Sequence, residues 1–259
     1  MPELPDLEVF SHNLNKKLAG KKIKKVTVLQ TKKLKVSVAT LKKQLEKKTV
    51  RTIYRSGKEL FIECDDGTVL GLHLMLRGKL EWFTKKNPHK FTIMELLFDD
   101  GAGLAVTDPQ RQATPTLNPE EDDVPDALSK KVNAAFLQQL LQQSNKPVKT
   151  VLTEQSLIRG IGNAYADEIL YHARIAPLSI SKKIPTAAIK VLARSVKTVL
   201  KNAQKKIRKI DPDIIGGELR DFMAVHNHTK THSPGGAVIK HKTLNSRKTY
   251  YTNEQKLYK

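Results

Sequence analysis

The sequence predicts an α+β fold: an N-terminal β-sandwich with one helix at its start, then a helical domain, then a C-terminal antiparallel β-hairpin. Three observations predict it. Short segments rich in Val, Ile, Leu and Phe, punctuated by Asp-Gly pairs, fill the first 118 residues. Longer runs with apolar residues every three or four positions follow. Between them lies TLNPEEDDVPDAL, an acidic stretch with two prolines, the composition of an interdomain linker. The expected organisation is residues 1–118 as the sandwich, 119–127 as linker, 128–223 as the helical domain and 224–259 as a finger-like hairpin.

The opening MPELPDLEVF reads as the start of a helix. Pro5 suits a first helical position, and Asp6 and Glu8 suit the positive end of the helix dipole. Leu7, Phe10, Leu14 and Leu18 recur at helical spacing, and Gly20 marks the stop. Strands are expected in KKVTVL, VRTIYRS, ELFIECDDGTVLGLHLML, KLEWF and FTIMELLFDDGAGLAVTD. Asp66-Gly67 and Asp100-Gly101 read as their hairpin turns. Several short strands behind one helix form a sandwich-like domain. Beyond the linker, VNAAFLQQLLQQ, VKTVLTEQS and NAYADEILYHARI are helical, as is the long PTAAIKVLARSVKTVLKNAQKKI. The tail from about Ala224 is rich in His, Lys, Gly and Thr, with TYY as a strand.

At 259 residues the chain can bury a sizeable core. Its 46 Lys+Arg against 26 Asp+Glu give a formal charge of +20. Single lysines commonly just solvate a helix face, but such a total favours a polyanionic partner, most often nucleic acid. No apolar run is long enough for a bilayer and no signal peptide is visible, so no membrane partner and a cytoplasmic location are expected. Cys64 is the single cysteine, which excludes an internal disulfide and any site built from several cysteines.

The most informative stretch is IRGIGNAYADEILYHARIAP, residues 158–177. Gly160 and Gly162 permit a tight turn, with Asn163 as the expected N-cap of the next helix. Exposed N–H groups there suit a DNA phosphate, or form an ordinary capped corner. This segment resembles the helix–two-turn–helix signature of the formamidopyrimidine-DNA glycosylase and endonuclease VIII family of base-excision repair enzymes. MPELPDLEVF, RSGKELF, HLMLRGKL and SRKTYYTNEQ resemble further blocks of that family, in its order and over nearly the whole chain.

The resemblance implies a bifunctional DNA glycosylase and AP lyase. It would be a monomer acting on damaged double-stranded DNA in the bacterial nucleoid, without a cofactor. It assigns the nucleophile to Pro2. A small residue after Met1 favours removal of that methionine, and an α-amino group titrates near pH 8, so part of it is neutral and nucleophilic at physiological pH. Without the resemblance, Pro2 and Pro5 would read as simple helix initiation. The resemblance assigns acid–base assistance at the sugar to Glu3, with Asp6 standing where the family usually carries Glu. It assigns a lesion-phosphate contact to Lys58 and an acidic partner of the N-terminal amine to Glu168. His73 matches a phosphate-side histidine, or a satisfied structural one. Asn163 and Arg247 match DNA-backbone contacts, and an Arg fork suits phosphate.

Three departures stand out. The common bacterial enzymes carry four zinc-binding cysteines in the finger, and this tail has none. His226, His228, His232 and His241 do not match the cysteine-bearing sets usual for structural zinc, so no metal is expected. They read as polar loop residues or phosphate contacts, in a zincless finger supported by Val238, Ile239, Tyr250 and Tyr251. Second, the family often fills the hole left by a flipped base with Met, Arg and Phe. Here the Met position reads Leu76, and DPQRQA places Gln110 and Gln112 for Arg and Phe, leaving Arg111 as the polar reader. Third, DPDIIGGELRDFMAV leaves little room for the loop that covers 8-oxoguanine, which points to oxidised pyrimidines, ring-opened purines or abasic sites. Two rivals stand beside the enzyme: a catalytically silent damaged-DNA binder and a structured-RNA binder.

Overall fold

The computed structural model describes residues 1–120 and 123–259. Glu121 and Asp122 of the expected linker 119–127 lie outside the described residues. The chain forms two compact units, residues 1–121 with 207–218 and residues 122–206 with 219–259.

The first unit opens with α1 (Leu4–Leu18). Glu3 is its N-cap, and the Glu3 N–H donates to Asp6 Oδ2 at 2.8 Å. The helix therefore begins at Leu4 and Pro5 is its second residue, one place later than expected, because Asp6 reaches back to cap the turn. Eight strands follow: β1 (Ile23–Val28), β2 (Val50–Ser56), β3 (Glu59–Cys64), β4 (Val69–His73), β5 (Lys79–Thr84), β6 (Thr92–Phe98), β7 (Ala102–Thr107) and β8 (Thr114–Leu117). They pair antiparallel in two sheets, β1-β6-β7-β5 and β2-β3-β4-β8. Ile53, Leu60 and Leu72 of one sheet share a core with Met94, Leu104 and Val106 of the other and with Leu7, Phe10 and Leu14 of α1. Cys64 is buried in that core, and burial pushes its thiol pKa up to about 11.

The register Lys79↔Thr107↔Thr92 gathers the start of β5, the end of β7 and the start of β6 at one end of the first sheet. Val28↔Met94 brings the end of β1 to the same place. The sequence reading omitted β8 and α2 (Val38–Leu45). Ser37 caps α2, its Oγ accepting from the Thr40 N–H at 3.0 Å, and Leu41 and Leu45 anchor it in the core. Segment 207–218 belongs to this unit: Asn13 Nδ2 donates to the Ile214 carbonyl at 2.8 Å. A Cβ at Gly216 would lie 2.4 Å from the Leu80 carbonyl oxygen, so glycine is required for the two backbones to approach.

The second unit contains α3 (Ala134–Gln142), α4 (Val148–Thr153), α5 (Asn163–His172) and most of α6 (Thr186–Ile210), then the hairpin β9 (Lys240–Leu244) and β10 (Arg247–Tyr251). Ile189, Leu192, Val196 and Leu200 form the buried stripe of α6. The hairpin turns at Asn245-Ser246, both left-handed, as a two-residue loop between twisted strands requires. Among the described residues no helix is long and apolar enough to cross a membrane.

Candidate active site

The chain start is held in place. The Met1 ammonium pairs with the Glu218 carboxylate. Pro2 lines an open cavity of about 200 Å³ with Leu76, Arg77, Lys79 and Glu218. Glu3 is buried at the helix cap. A carboxylate and two cationic side chains therefore lie around Pro2, next to the Met1 amine.

Lys58 sits in the two-residue turn Gly57-Lys58 between β2 and β3. Arg55 braces that turn, donating from Nε to Glu8 Oε2 at 2.7 Å and from Nη1 to the Gly57 carbonyl at 3.1 Å. Glu59 pairs with His73 across β3 and β4. His73 Nδ1 accepts the Met75 N–H at 3.0 Å, which leaves Nε2–H as the donor. Burial, then the Lys58 charge, holds the His73 pKa below its ordinary value of 6.5. The imidazole is thus neutral at pH 7.

Leu76 is 60% exposed. Arg111 crowns the loop after β7 in a left-handed conformation, φ 54°. The buried Asp108 carboxylate builds this loop by accepting the N–H groups of Gln110, Gln112 and Ala113 at 2.7–2.8 Å. Gln110 and Gln112 are exposed on either side of Arg111.

In the second unit, Gly160 turns with φ 100° and Gln155 braces the turn, taking the Gly160 N–H at 3.0 Å and donating to the Ile161 carbonyl at 2.8 Å. Gly162, extended, is the cap of α5, and Asn163 is the first helical residue rather than the N-cap. The reason is that the turn closes at Gly160, so the extended cap position falls on Gly162. Asn163 Nδ2 instead donates to the Lys248 carbonyl at 3.1 Å. Glu168 accepts the N–H groups of Ala224, Val225 and His226 at 2.7–2.8 Å. It also borders a cavity of about 380 Å³ walled by Tyr165, Tyr171, Phe222 and Lys206. Arg247 is exposed at the first position of β10.

The hairpin support matches expectation at Tyr250 and Ile239 and differs at Val238. Tyr250 and Ile239 pack with Tyr171 and Val225, but Val238 is 56% exposed. The Ile239 N–H is committed to the Thr231 carbonyl, so the alternate residue Val238 faces out. His226 lies in a loop, with its Nδ1 2.7 Å from Asp167 Oδ2. Asp167 also binds Lys149 and the Tyr250 N–H. Glu254 joins Arg174, Ser233 and Thr252. These carboxylates, with Glu218, were missed by sequence reasoning, since no local signal marks a partner so distant along the chain.

The four-cysteine set that the resemblance set up as the common pattern has no counterpart in this sequence. No cysteine follows Cys64. Among the described residues no three His, Cys, Asp or Glu side chains are grouped to hold an ion. His226 is taken by Asp167, and His232 Nδ1 lies 3.0 Å from Thr231 Oγ1.

Comparison with known proteins adds a second line. The formamidopyrimidine-DNA glycosylase N-terminal domain matches residues 1–114, and the formamidopyrimidine-DNA glycosylase H2TH domain matches residues 124–211. Formamidopyrimidine-DNA glycosylase of Ureaplasma parvum is 31% identical, over 97% of this chain and 98% of its own length. That of Magnetococcus marinus is 28% identical, over 97% and 98%. A Lactococcus lactis enzyme in complex with DNA containing an abasic site superimposes with TM-score 0.87 at 26% identity, over 98% of this chain and 99% of that one. A variant of the same enzyme with Fapy-dG containing DNA gives 0.88 at 27%, over 98% and 99%. The two domain matches, in order and spanning most of the sequence, join the architecture and the local blocks in one conclusion: the chain belongs to the formamidopyrimidine-DNA glycosylase family.

Proposed function

We propose that this chain, a DNA repair glycosylase by family, excises oxidised or ring-opened bases through Pro2 and then cuts the strand. The carrying observation is the anchored chain start, with Pro2 lining a cavity beside Leu76 and Glu218. Loss of Met1 turns Pro2 into a secondary amine there. Its nitrogen attacks C1′ as the bond to the base breaks and the base leaves with a proton; the amine gives up its own proton, the sugar ring opens at C1′–O4′ with O4′ taking a proton, and an iminium forms. That cation acidifies the C2′ proton. Its loss breaks the C3′–O bond by β-elimination, and δ-elimination can release the 5′ phosphate. Glu3 assists at the sugar, and Glu168 organises the Ala224–His226 backbone that borders its cavity. Lys58, neutral His73, Asn163 and Arg247 take phosphates, while Leu76 and Arg111 enter the duplex in place of the extruded nucleotide. We read it as a monomer working on the bacterial chromosome.

The test is borohydride trapping on abasic-site DNA with methionine-free protein. One reduced adduct should map to Pro2, and an N-terminal tag should abolish it while DNA binding persists. Glu3→Gln should slow base removal more than cleavage of a preformed abasic site. Binding of lesion DNA with neither adduct nor cleavage, across oxidised purines, oxidised pyrimidines and abasic sites, would establish the silent binder instead.

A further inference from the structure

Among the described residues eight large hydrophobic side chains are exposed, and three of them gather at one end of the β1-β6-β7-β5 sheet. Leu29 directly follows β1, Leu76 precedes β5 and Phe91 directly precedes β6. The strand register places these positions at the sheet end from which the Arg111 loop also emerges. Leu29, Phe91 and Arg111 border one open cavity of about 370 Å³. Apolar side chains scattered singly on a surface need no explanation, but a gathering beside a cation marks a contact surface.

Phe91 is the unusual member. It is 58% exposed and left-handed, φ 60°, a conformation rare for a bulky side chain and one that clusters at functional sites. The surrounding turn over-determines it. Asn87 Nδ2 donates to Thr92 Oγ1 at 3.0 Å and to Glu95 Oε2 at 2.7 Å, and Asn87 Oδ1 accepts the His89 N–H at 2.8 Å. His89 Nε2 lies 3.0 Å from the Trp82 carbonyl, and the β6–β7 register shifts just after Thr92. The Phe91 carbonyl accepts the Asp108 N–H at 2.9 Å. Asp108 therefore fixes both sides of the cavity: its carbonyl takes the Arg111 N–H at 3.0 Å, its carboxylate holds the neighbouring N–H groups of that loop, and its own N–H holds Phe91. The Arg111 loop offers only Gln110 and Gln112 beside the guanidinium, so the aromatic surface comes from the neighbouring turn.

We propose that Phe91 stacks on the base left without a partner when a nucleotide is drawn out of the duplex, beside Arg111, whose guanidinium donates to that base's edge. This rests on the glycosylase reading above. An unpaired base presents a bare π face and unsatisfied edge acceptors. A rigid ring next to a forked donor satisfies both, and stacking on a side chain tolerates any base.

The experiment is a cycle on uncleavable DNA. One duplex carries a tetrahydrofuran abasic analogue opposite a normal base; a second carries the analogue on both strands. Wild type, Phe91→Ala, Phe91→Trp and Phe91→Gly are compared by fluorescence anisotropy. Phe91→Ala should weaken binding to the first duplex roughly tenfold more than to the second. Phe91→Trp should restore the difference. Phe91→Gly relieves the left-handed backbone, so it should melt no lower than wild type and still lose the preference. Loss confined to the base-containing duplex supports the assignment; equal losses on both duplexes, or differences within twofold, overturn it. A wild type that binds the first duplex no tighter than undamaged DNA sinks the glycosylase reading and this assignment together. Wild-type lesion preference without dependence on position 91 sinks this assignment alone.

Discussion

The buried Lys149 ammonium lies 2.6 Å from Asp167 Oδ1, joining α4 to α5. The other Asp167 oxygen takes the Tyr250 N–H at 2.9 Å and faces His226 Nδ1 at 2.7 Å, so one side chain ties two helices to β10. Removing one partner of a buried ion pair costs about 3–5 kcal/mol, because the other charge stays buried. Asp167→Asn should lose that much in urea denaturation. Lys149→Met should lose less, since the Tyr250 N–H and His226 Nδ1 still face the carboxylate. A change under about 1 kcal/mol in Asp167→Asn would place the hairpin's support elsewhere.

Glu254 is the second polar node of the hairpin. The Ser233 hydroxyl, then the Arg174 guanidinium, lower its pKa from 4.5 to about 2. A carboxylate whose folded pKa is depressed adds stability above its unfolded pKa and loses it as pH falls through the folded one. The melting difference between wild type and Glu254→Gln should therefore be flat from pH 8 to about 5 and shrink towards pH 2. A difference that grows on acidification would contradict this assignment.

Gly216→Ala should destabilise the first unit. The added methyl meets the Leu80 carbonyl oxygen at 2.4 Å, a backbone atom that cannot swing aside. Overpacking of this kind costs about 1–3 kcal/mol, visible in a thermal melt of the intact chain. Gly217→Ala has open space but a left-handed backbone, φ 90°, so its loss is conformational rather than steric.

Salt dependence should reveal which cations meet phosphate. With roughly 5–8 phosphates neutralised, log K should fall against log salt with a slope of about −5 to −7. Arg247→Ala and Lys58→Ala should each make the slope shallower by about one. An affinity nearly independent of salt would reduce the +20 charge to a solubilising surface.

The sandwich strands from β1 to β7 were legible because Asp-Gly turns and alternating side chains are local signals. β8 was not: TPTL carries a proline, tolerated because β8 is an edge strand of its sheet. α2 carries its own cap and apolar pair, Ser37 with Leu41 and Leu45, but flanking lysines obscure the periodicity. The site divides the same way. Pro2, Lys58, Leu76 and Arg247 lie in contiguous blocks that can be read directly. Met1 meets Glu218 across 217 positions, and Arg174 meets Glu254 across 80. Phe91 was hidden for another reason, since its exposure arises from a bulge and a left-handed backbone that no spacing encodes.

The core position of Cys64 has a consequence under oxidative stress. Peroxide attacks thiolates, and a finger built on metal-bound thiolates offers it four targets. Here the single thiol is solvent-inaccessible and, with a pKa near 11, stays protonated. The hairpin is fastened by carboxylates, hydroxyls and backbone amides, none of which peroxide modifies. The bonds that fasten this hairpin therefore offer peroxide no thiolate to attack.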